Sequence, residues 1–436
     1  MQAAKLWKYL FSKEHLREHY YKKIKPKPSI GLDRITPEKF EKQLNDQIEI
    51  IVRKTNNNSY HFTRYKQLLF LKNAFKPPRS VCVPTIRDKL TLSSLNELIN
   101  GVYGKYCKTQ MPQVIIDDIM SNIEYYDSFI KLDIKSFYST ICQEVLFKKL
   151  KRQIRKKEIL NLIKKAIQTP AISLPVTDTR NSRERTKGIP EGLSISNSLA
   201  NIYMIDIDKK YSCKNNIAYY RYVDDILLLV NEDEFDDLKK EITRDVQNLK
   251  LEFNEKIDEG RIDSGFEYLG YKINSKAVTV RQSGVLKLEQ SIEELFREIN
   301  NKNINYIEWK INLKITGFIL EKKKYGWLFY YSQITDFSLL FHLDNILNKF
   351  VKRYKVDGKI KLKRFVRSFQ EINKALHSTK YIPNLDDIDN KQKQDILSKI
   401  YNIDLKDKSN EEIEMLFRKV MKKEIINIEK DIQNIS

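Results

Sequence analysis

The stretch Tyr222-Val223-Asp224-Asp225 sets two adjacent carboxylates at the centre of an otherwise apolar run. The residues on either side, 217–220 and 226–230, are apolar and β-prone, which predicts two strands joined by a turn that carries the acidic pair. Adjacent charges in an apolar hairpin are costly unless something compensates them, and a metal ion is the usual solution. A solvated helix face is the alternative, but the flanks carry no helical polar face. The stretch therefore predicts a metal-binding turn.

The composition predicts a polyanionic partner. The 436 residues include 79 Lys+Arg against 58 Asp+Glu, a formal net charge of +21, and such an excess of cations favours nucleic acid. The 24 Tyr and 20 Phe suit stacking on bases beside neutralised phosphates. A generic basic protein from an AT-rich genome, whose codons favour Lys and Ile, is the alternative explanation.

The cysteine and histidine patterns argue against several kinds of site. The cysteines are widely spaced and form no CxxC pair, so neither a zinc site nor a disulfide framework is predicted: Cys82, Cys107, Cys142 and Cys213. The histidines are interpreted as lacking a metal-binding or nuclease spacing: His15, His19, His61, His342 and His377. Residues 1–21 have no long apolar core, so neither a signal peptide nor a transmembrane helix is expected. We expect a cytoplasmic location and no membrane partner.

A third carboxylate, Asp133, lies near the end of the alternating, apolar run 129–134. Three carboxylates from two strands suit a site for two Mg²⁺ ions, because hard cations prefer oxygen ligands. Paired ions stabilise the attacking and leaving oxygens of a phosphoryl transfer. No GxxxxGK[ST] loop is present, which disfavours a P-loop NTPase.

Seven motifs in a constant order extend this pattern along the chain. They are IGLDRIT at 30–36, RSVCVPTIRDK at 79–89, KLDIKSFY at 131–138, GIPEGLSISN at 188–197, YVDD at 222–225, LEFNEK at 251–256 and YLGY at 268–271. On these motifs the chain resembles reverse transcriptases over roughly residues 29–275. One motif alone would be weak support, but seven in the family's order make a chance resemblance untenable.

The resemblance implies roles for individual residues. It implies three catalytic carboxylates and a general acid for the pyrophosphate: Asp133, Asp224, Asp225 and Lys256. The same carboxylates and the carbonyl of Ile134 would bind two Mg²⁺ ions, or Mn²⁺ in their place. The implied nucleotide-binding residues are Lys72, Arg79, Ile134, Tyr138, Glu191 and Gly192. The implied primer grip consists of Tyr268, Leu269 and Gly270.

Tyr138 stands where the family places a steric gate against a ribose 2′-hydroxyl, which predicts a preference for deoxynucleotides. Its alternative is ordinary core packing, and the alternative for Arg79 and Lys256 is a solvated surface. Glu191 departs from the family, since many relatives carry Gln there. A carboxylate accepts hydrogen bonds but donates none, so unusual nucleotide selection or weak template dependence stays open.

A basic segment in the C-terminal third is the second candidate interface. Between residues 345 and 370 there are nine Lys/Arg and one acidic residue. We predict that this segment grips RNA or a duplex, through Lys352, Arg353, Lys361, Lys363, Arg364 and Arg367. A solvated helix face is the alternative.

The predicted fold class is α+β, a right-hand polymerase whose fingers and palm, with an antiparallel palm sheet, precede a helical thumb and C-terminal helical region. The predicted boundaries are an N-terminal helical extension at 1–28, fingers at 29–128, a palm at 129–280 with inserted fingers elements at about 147–187, and the thumb with a basic RNA-binding region at 281–436.

Within the family, the chain looks most like the bacterial defence-associated and abortive-infection reverse transcriptases. That likeness implies RNA-directed DNA synthesis on a structured noncoding RNA in antiphage defence. The implied partners are this RNA, the DNA product, dNTPs, and a further defence protein or a second copy of the chain. The alternatives are a retron or group II intron-type enzyme, a template-independent DNA polymerase, and a non-catalytic RNA-binding scaffold.

Overall fold

Helices make up most of the protein. A computed structural model describes residues 3–26, 29–70, 78–173 and 184–432. The α-helices are α1 Ala3–Leu10, α2 Lys13–His19, α3 Pro37–Lys42, α4 Leu44–Asn56, α5 Ile86–Tyr103, α6 Pro112–Asn122, α7 Phe137–Thr140, α8 Gln143–Leu150, α9 Lys157–Gln168, α10 Ser196–Ser212, α11 Phe235–Asn248, α12 Gln282–Arg297, α13 Ile304–Thr316, α14 Trp327–Tyr330, α15 Phe337–Arg353, α16 Phe365–Lys374, α17 Asn390–Asp395 and α18 Asn410–Ile432. The described part of the chain contains no helix long and apolar enough to span a membrane.

In the residues that the structure describes, short strands form four sheets among these helices. The strands are β1 Tyr65–Phe70, β2 Arg79–Val83, β3 Ser128–Asp133, β4 Ala171–Ile172, β5 Ala218–Tyr222, β6 Asp225–Val230, β7 Asp258–Arg261, β8 Phe266–Tyr268, β9 Tyr271–Ile273, β10 Val278–Val280, β11 Phe318–Leu320 and β12 Lys323–Tyr325. The sheet orders are β2-β1-β4, β5-β6-β3-β7, β10-β9-β8 and β11-β12. Short π-helical turns lie at Tyr20–Ile24 and Ile396–Ile400, and 3₁₀ turns at Gly104–Cys107, Ile123–Tyr125, Glu232–Glu234 and Ile262–Ser264.

Packing divides the chain into two units. The first unit contains Met1–Gln110 and Ser128–Glu259, and the second contains Met111–Asp127 and Gly260–Ser436. Each unit is described separately. The domain boundaries expected from the sequence stay a prediction.

The first unit is built around β6, the apolar strand that follows the acidic pair. Its residues from Ile226 to Val230 are fully buried, as expected for a central strand covered on both faces. Strands β3 and β5 flank β6, and both pair with it in the antiparallel sense. Helix α10 packs beside β5 and α8, and its buried side chains run from Ser196 to Tyr211.

The second unit is mainly helical. Its helices α13 and α18 are joined by two buried ion pairs, Lys310–Glu424 at 2.5 Å and Lys314–Asp431. Buried charges are tolerated when they are paired in this way. Together the units confirm the predicted α+β class, with antiparallel sheets and a helical C-terminal region.

Candidate active site

The acidic pair lies where two antiparallel strands are joined, as predicted, with Asp224 in the two-residue turn Val223-Asp224 and Asp225 as the first residue of the second strand. Strand β5 ends at Tyr222, β6 begins at Asp225, and these two residues are cross-strand partners. Asp133, the last residue of β3, is the cross-strand partner of Asp225 on the other side. The backbone N–H of Ile134 donates to the carbonyl of Asp224 at 3.1 Å. The sheet register therefore brings the three predicted carboxylate residues to the same end of the sheet.

The turn contains a strained residue. Val223 has a φ of +61°, a conformation that is rare for a β-branched side chain. Arg221, in β5, stabilises it by donating from Nη1 to the carbonyl of Val223 at 2.8 Å. Two further hydrogen bonds, of 2.7 Å and 2.6 Å, join the Arg221 guanidinium to the carboxylate of Asp208 in α10. Helix α10 thus holds the turn through a bidentate ion pair, in which two parallel hydrogen bonds fix the orientation of the guanidinium on the carboxylate.

Asp133 is positioned from its other side by the segment 252–254. The backbone N–H of Asn254 donates to the Asp133 carbonyl at 2.8 Å, and that of Lys135 donates to Glu252 at the same distance. The Asn254 side-chain amide also donates to the Asp133 carboxylate. Lys256, the predicted general acid, follows two residues later with an exposed side chain. Its role as a general acid stays a prediction.

Asp225 has a strongly perturbed acidity. Burial raises the pKa of its carboxyl to about 7, Lys131 opposes the shift, and the negative charges of Asp133, Asp224 and Asp258 add to it. The ionised form of a buried carboxyl group is unfavourable among like charges unless a cation is near, so the pKa rises. A site of this kind is typical of a functional cluster rather than of a structural ion pair.

The donor set fits divalent metal binding. Asp133, Asp224 and Asp225 lie with the Ile134 backbone at one end of the two central strands β3 and β6, and their carboxylates and the Ile134 carbonyl are the oxygen ligands that Mg²⁺ prefers. Divalent cations bound here would neutralise the repulsion that raises the Asp225 pKa. When bound, they would activate a 3′-hydroxyl and stabilise charge on a triphosphate.

Asp225→Asn is expected to stabilise the metal-free protein at neutral and higher pH. The raised pKa means that the folded state binds more protons than the unfolded state between pH 3.8 and about 7, so wild-type stability falls as the pH rises through that interval. The difference in free energy of unfolding between variant and wild type should grow by about 2 to 3 kcal/mol from pH 5 to pH 8. Urea unfolding in EDTA at both pH values measures it. A pH-independent difference would contradict the assigned pKa.

Tyr138, Arg79 and Glu191, three of the residues predicted to bind the nucleotide, lie near one another in the first unit. The Arg79 guanidinium donates from Nε to the Glu191 carboxylate at 2.7 Å, and both side chains are partly exposed. Burial raises the pKa of Tyr138 to about 12, with further contributions from the negative charges of Asp224 and Glu191. Tyr138 therefore faces both the acidic turn and the Arg79–Glu191 pair. Lys72 lies outside the described residues.

Two glycines allow the segment 188–192 to pass between neighbouring backbones. Gly188 has a φ of +74°, and a Cβ there would lie 2.5 Å from the carbonyl oxygen of Ser139. Gly192 has a φ of +92°, and a Cβ there would lie 2.5 Å from Val81. The backbone N–H of Cys82 donates to the Glu191 carbonyl at 2.7 Å. Only glycine fits at these two positions, where the backbone passes so close to its neighbours. This path of the backbone places Glu191 beside Arg79.

The predicted primer-grip residues lie in the second unit, at the turn between β8 and β9. The Tyr268 and Leu269 side chains are buried, at 1% and 2% exposure, and the Tyr330 hydroxyl donates to the Leu269 carbonyl at 3.0 Å. Gly270 follows with a φ of +82°. Both side chains belong to the core of this unit, so a primer contact at this turn would use backbone atoms.

The predicted RNA-binding cations also lie in the second unit. Several of them already have partners within the protein. Arg353 pairs with Glu293 at 3.0 Å, and Arg364 lies 3.5 Å from Asp344. Lys363 donates to the Tyr381 carbonyl at 2.6 Å.

The other predicted RNA-binding cations are Arg367, Lys352 and Lys361. The Arg367 guanidinium lies 4.3 Å from the centre of the Tyr381 ring and 3.5 Å from Glu371. Lys352 and Lys361 have exposed side chains. Several of the predicted contacts thus have intramolecular partners, and RNA binding by this surface stays a prediction.

More than half of the chain matches a family model. The reverse transcriptase (RNA-dependent DNA polymerase) model covers residues 34–273, which includes the three carboxylates and the segments around them. The chain belongs to the reverse transcriptase family. The family's chemistry is nucleotidyl transfer, in which an RNA template directs DNA synthesis.

Curated relatives cover only part of this reverse transcriptase. It is 24% identical over 202 residues to an uncharacterised 91 kDa protein in cob intron of Schizosaccharomyces pombe, a match that covers 43% of this chain and 24% of that protein. It is 24% identical over 164 residues to the putative COX1/OXI3 intron 2 protein of Saccharomyces cerevisiae, covering 35% and 18%. The chain thus spans about a quarter or less of these relatives.

Solved telomerase structures match this chain at low similarity. Apo telomerase from Candida tropicalis is 14% identical with a TM-score of 0.45, over 88% of this chain and 74% of that one. Telomerase from Candida albicans, in complex with a TWJ fragment of telomeric RNA, is 12% identical with a TM-score of 0.43, over 91% and 68%. Scores of this size support no argument about function.

Several site residues were not singled out from the sequence. Asp208, Arg221 and Asn254 support the acidic turn, and Lys131 opposes the charge of Asp225. Lys131 could have been found, because it stands two residues before Asp133 and strand side chains alternate. The pairing of Arg221 with Asp208 had no sequence signal, since it joins a strand to the end of a preceding helix.

The interpretation of the histidines is wrong for one pair. His15 and His19 stand four residues apart in α2, which places them on one helix face. Glu97 of α5 completes a group of three side chains whose ligand atoms lie within 4.8 Å of one another.

Proposed function

We propose that this reverse transcriptase copies RNA into DNA with two divalent ions held by Asp133, Asp224 and Asp225. The observation that carries the proposal is the register in which Asp133 and Asp225 are cross-strand partners beside the Asp224 turn. The non-catalytic scaffold is disfavoured, because three carboxylates at one end of the sheet repel one another and destabilise the fold unless a cation binds there.

Each of the surrounding side chains has a separate role in the proposed nucleotide addition. Asp133 and Asp224 hold negative charge where the cations are needed, and Arg79 offers a cation for the triphosphate. Tyr138 occupies the space beside the acidic turn that a ribose 2′-hydroxyl would need. Lys256, exposed after the 252–254 segment, supplies a proton to the departing pyrophosphate.

Primer extension on RNA templates of known sequence tests the activity. With Mg²⁺ and all four dNTPs, we expect products complementary to the template and much weaker use of ribonucleotides. A single dNTP without RNA should give little product. Efficient extension without RNA would instead support template-independent synthesis, the alternative motivated by Glu191, whose carboxylate accepts hydrogen bonds but donates none.

Glu191→Gln is expected to lower the KM for dNTPs by about fivefold, equivalent to about 1 kcal/mol for a partly exposed ion pair. An incoming triphosphate must compete with the Glu191 carboxylate for Arg79, and a neutral amide removes that competition. Steady-state kinetics with varied dNTP measures the effect. The matched control is Glu144→Gln, because Glu144 is 89% exposed in α8. A rise in KM would show that Glu191 itself contacts the nucleotide.

We further propose a role in bacterial antiphage defence, in the cytoplasm, with a structured noncoding RNA as template. The likeness of the motifs to defence-associated enzymes and the exposed cations Lys352 and Lys361 support this proposal. The intron names of the curated relatives favour an intron-type enzyme as the second candidate. A further defence protein or a second copy of the chain would complete the proposed assembly.

Sequencing the copurified RNA and the DNA product separates these two roles. A noncoding RNA with a complementary DNA, together with protection from phage that depends on Asp224, would support defence. An intron lariat or a branched RNA–DNA product would contradict it.

A further inference from the structure

A second cluster of metal-ligating side chains lies in the N-terminal helices of the first unit. Ser12 caps α2 by accepting a hydrogen bond from the backbone N–H of His15, so the first turn of the helix is well defined. The side chains of His15 and His19 are 10% and 6% exposed, whereas that of Glu97 is 47% exposed. The cluster is thus buried on the imidazole side and open to solvent on the carboxylate side.

Two of the distances between ligand atoms in the cluster are close to those around a bound metal ion, and all three atoms lie within 4.8 Å of one another. The Glu97 Oε2 atom lies 3.3 Å from His19 Nδ1 and 3.6 Å from His15 Nε2. Donor atoms bound at about 2.0 to 2.1 Å around a tetrahedral ion are separated by about 3.3 Å. Small side-chain rotations would therefore bring all three donors to bonding distance of one ion.

His15 packs against the rings of Tyr9 and His19, but it lacks the hydrogen bonds of an ordinary core histidine. Neither of its ring nitrogens has a hydrogen-bond partner among the described residues, although both are buried. An unsatisfied buried polar atom costs free energy of about 1 to 3 kcal/mol. A ligand that accepts the imidazole lone pair would remove this cost at the nitrogen that faces Glu97.

The second histidine is oriented as metal ligands are. His19 Nε2 lies 2.7 Å from the Ser93 hydroxyl of α5, which leaves Nδ1 directed at Glu97. A ligating imidazole commonly uses its other ring nitrogen for such a hydrogen bond, which fixes the ring and its tautomer. Ser93 and Glu97, four residues apart on α5, thus support one ring from both sides.

We propose that His15, His19 and Glu97 bind a divalent transition metal ion of the Zn²⁺ class, which joins α2 to α5. Two imidazole nitrogens and one carboxylate select Zn²⁺ over Mg²⁺, because Mg²⁺ requires oxygen ligands. Three protein ligands leave a fourth position for water. The exposed Glu97 provides the entry path, and the ion would stabilise the packing of the N-terminal helices.

Zn²⁺ titration of the full-length protein, in buffer with excess Mg²⁺, tests the proposal by calorimetry and thermal unfolding. We expect one equivalent to bind and the Tm to rise by about 3 °C or more at saturation. The double variant His15→Ala/His19→Ala should lose both effects, whereas His61→Ala, which removes an exposed histidine, should keep them. Asp133→Asn should also keep them, so the result is independent of polymerase activity.

Co²⁺ substitution gives a readout that does not depend on the stability of the variants. Wild-type protein should develop the visible d–d absorption of four-coordinate Co²⁺, and Glu97→Gln should weaken it at least tenfold. No Zn²⁺-dependent change in wild type, or equal Zn²⁺ binding by the double variant, would overturn the proposal and leave the cluster as a hydrogen-bonded ion pair.

Discussion

Replacing Asp224 with Asn is expected to lower the rate of DNA synthesis by about a thousandfold, or about 4 kcal/mol in the barrier. The carboxylate lies at the turn, where its charge would hold a cation against the reacting phosphate. The backbone carbonyl that accepts from Ile134 is unchanged in the variant, so the hairpin should keep its geometry. Single-turnover primer extension at saturating dNTP measures the chemical step.

The control for this prediction is Asp237→Asn in α11, which removes a carboxylate that is 91% exposed. It should extend primers at the wild-type rate. RNA affinity, measured by filter binding, should be unchanged in both variants. If Asp224→Asn kept full activity, neither the proposed chemistry nor its assignment to this turn could stand.

Gly188→Ala is expected to destabilise the first unit by about 2 to 5 kcal/mol. The new Cβ would lie 2.5 Å from the carbonyl oxygen and 2.7 Å from the Cα of Ser139. Both atoms belong to backbone that cannot rotate away. The backbone N–H of Ile189 donates to the Tyr138 carbonyl at 2.8 Å, so any displacement should also disturb Tyr138 and raise the KM for dNTPs.

Gly358→Ala separates the two causes of this effect. Gly358 has a φ of +72°, close to the +74° of Gly188, but a Cβ there would meet nothing within 4 Å. Its cost should be about 1 to 2 kcal/mol, from backbone strain alone. Urea unfolding of both variants measures the difference. Equal costs would mean that the approach of Gly188 to Ser139 is looser than the structure indicates.

The acidic hairpin could be predicted because its signals are local. An apolar run on each side of Asp224 and Asp225 predicts two strands, and the acidic pair between them marks where the chain turns, although Asp225 itself begins the second strand. The position of Asp133 near the end of another strand could also be predicted, from the alternating apolar run 129–134. The resemblance then supplied the roles of Tyr138, Arg79 and Glu191, but not the ion pair between the last two.

The roles of the C-terminal cations were harder to predict. A basic segment looks the same in sequence whether its side chains face RNA or form intramolecular pairs. Arg353 and Arg364 lie near Glu293 and Asp344, which stand 60 and 20 residues before them in the chain.

The sequence by itself determined the family, the acidic turn and the residue types that nucleotidyl transfer requires, because these are written in short motifs and strand periodicity. Only the tertiary structure decided that Arg221 and Asp208 hold the turn, that Glu191 occupies Arg79, and that Glu97 meets His15 and His19. Those contacts join separate elements. They depend on the register of the sheet and the packing of the helices, which no local pattern encodes.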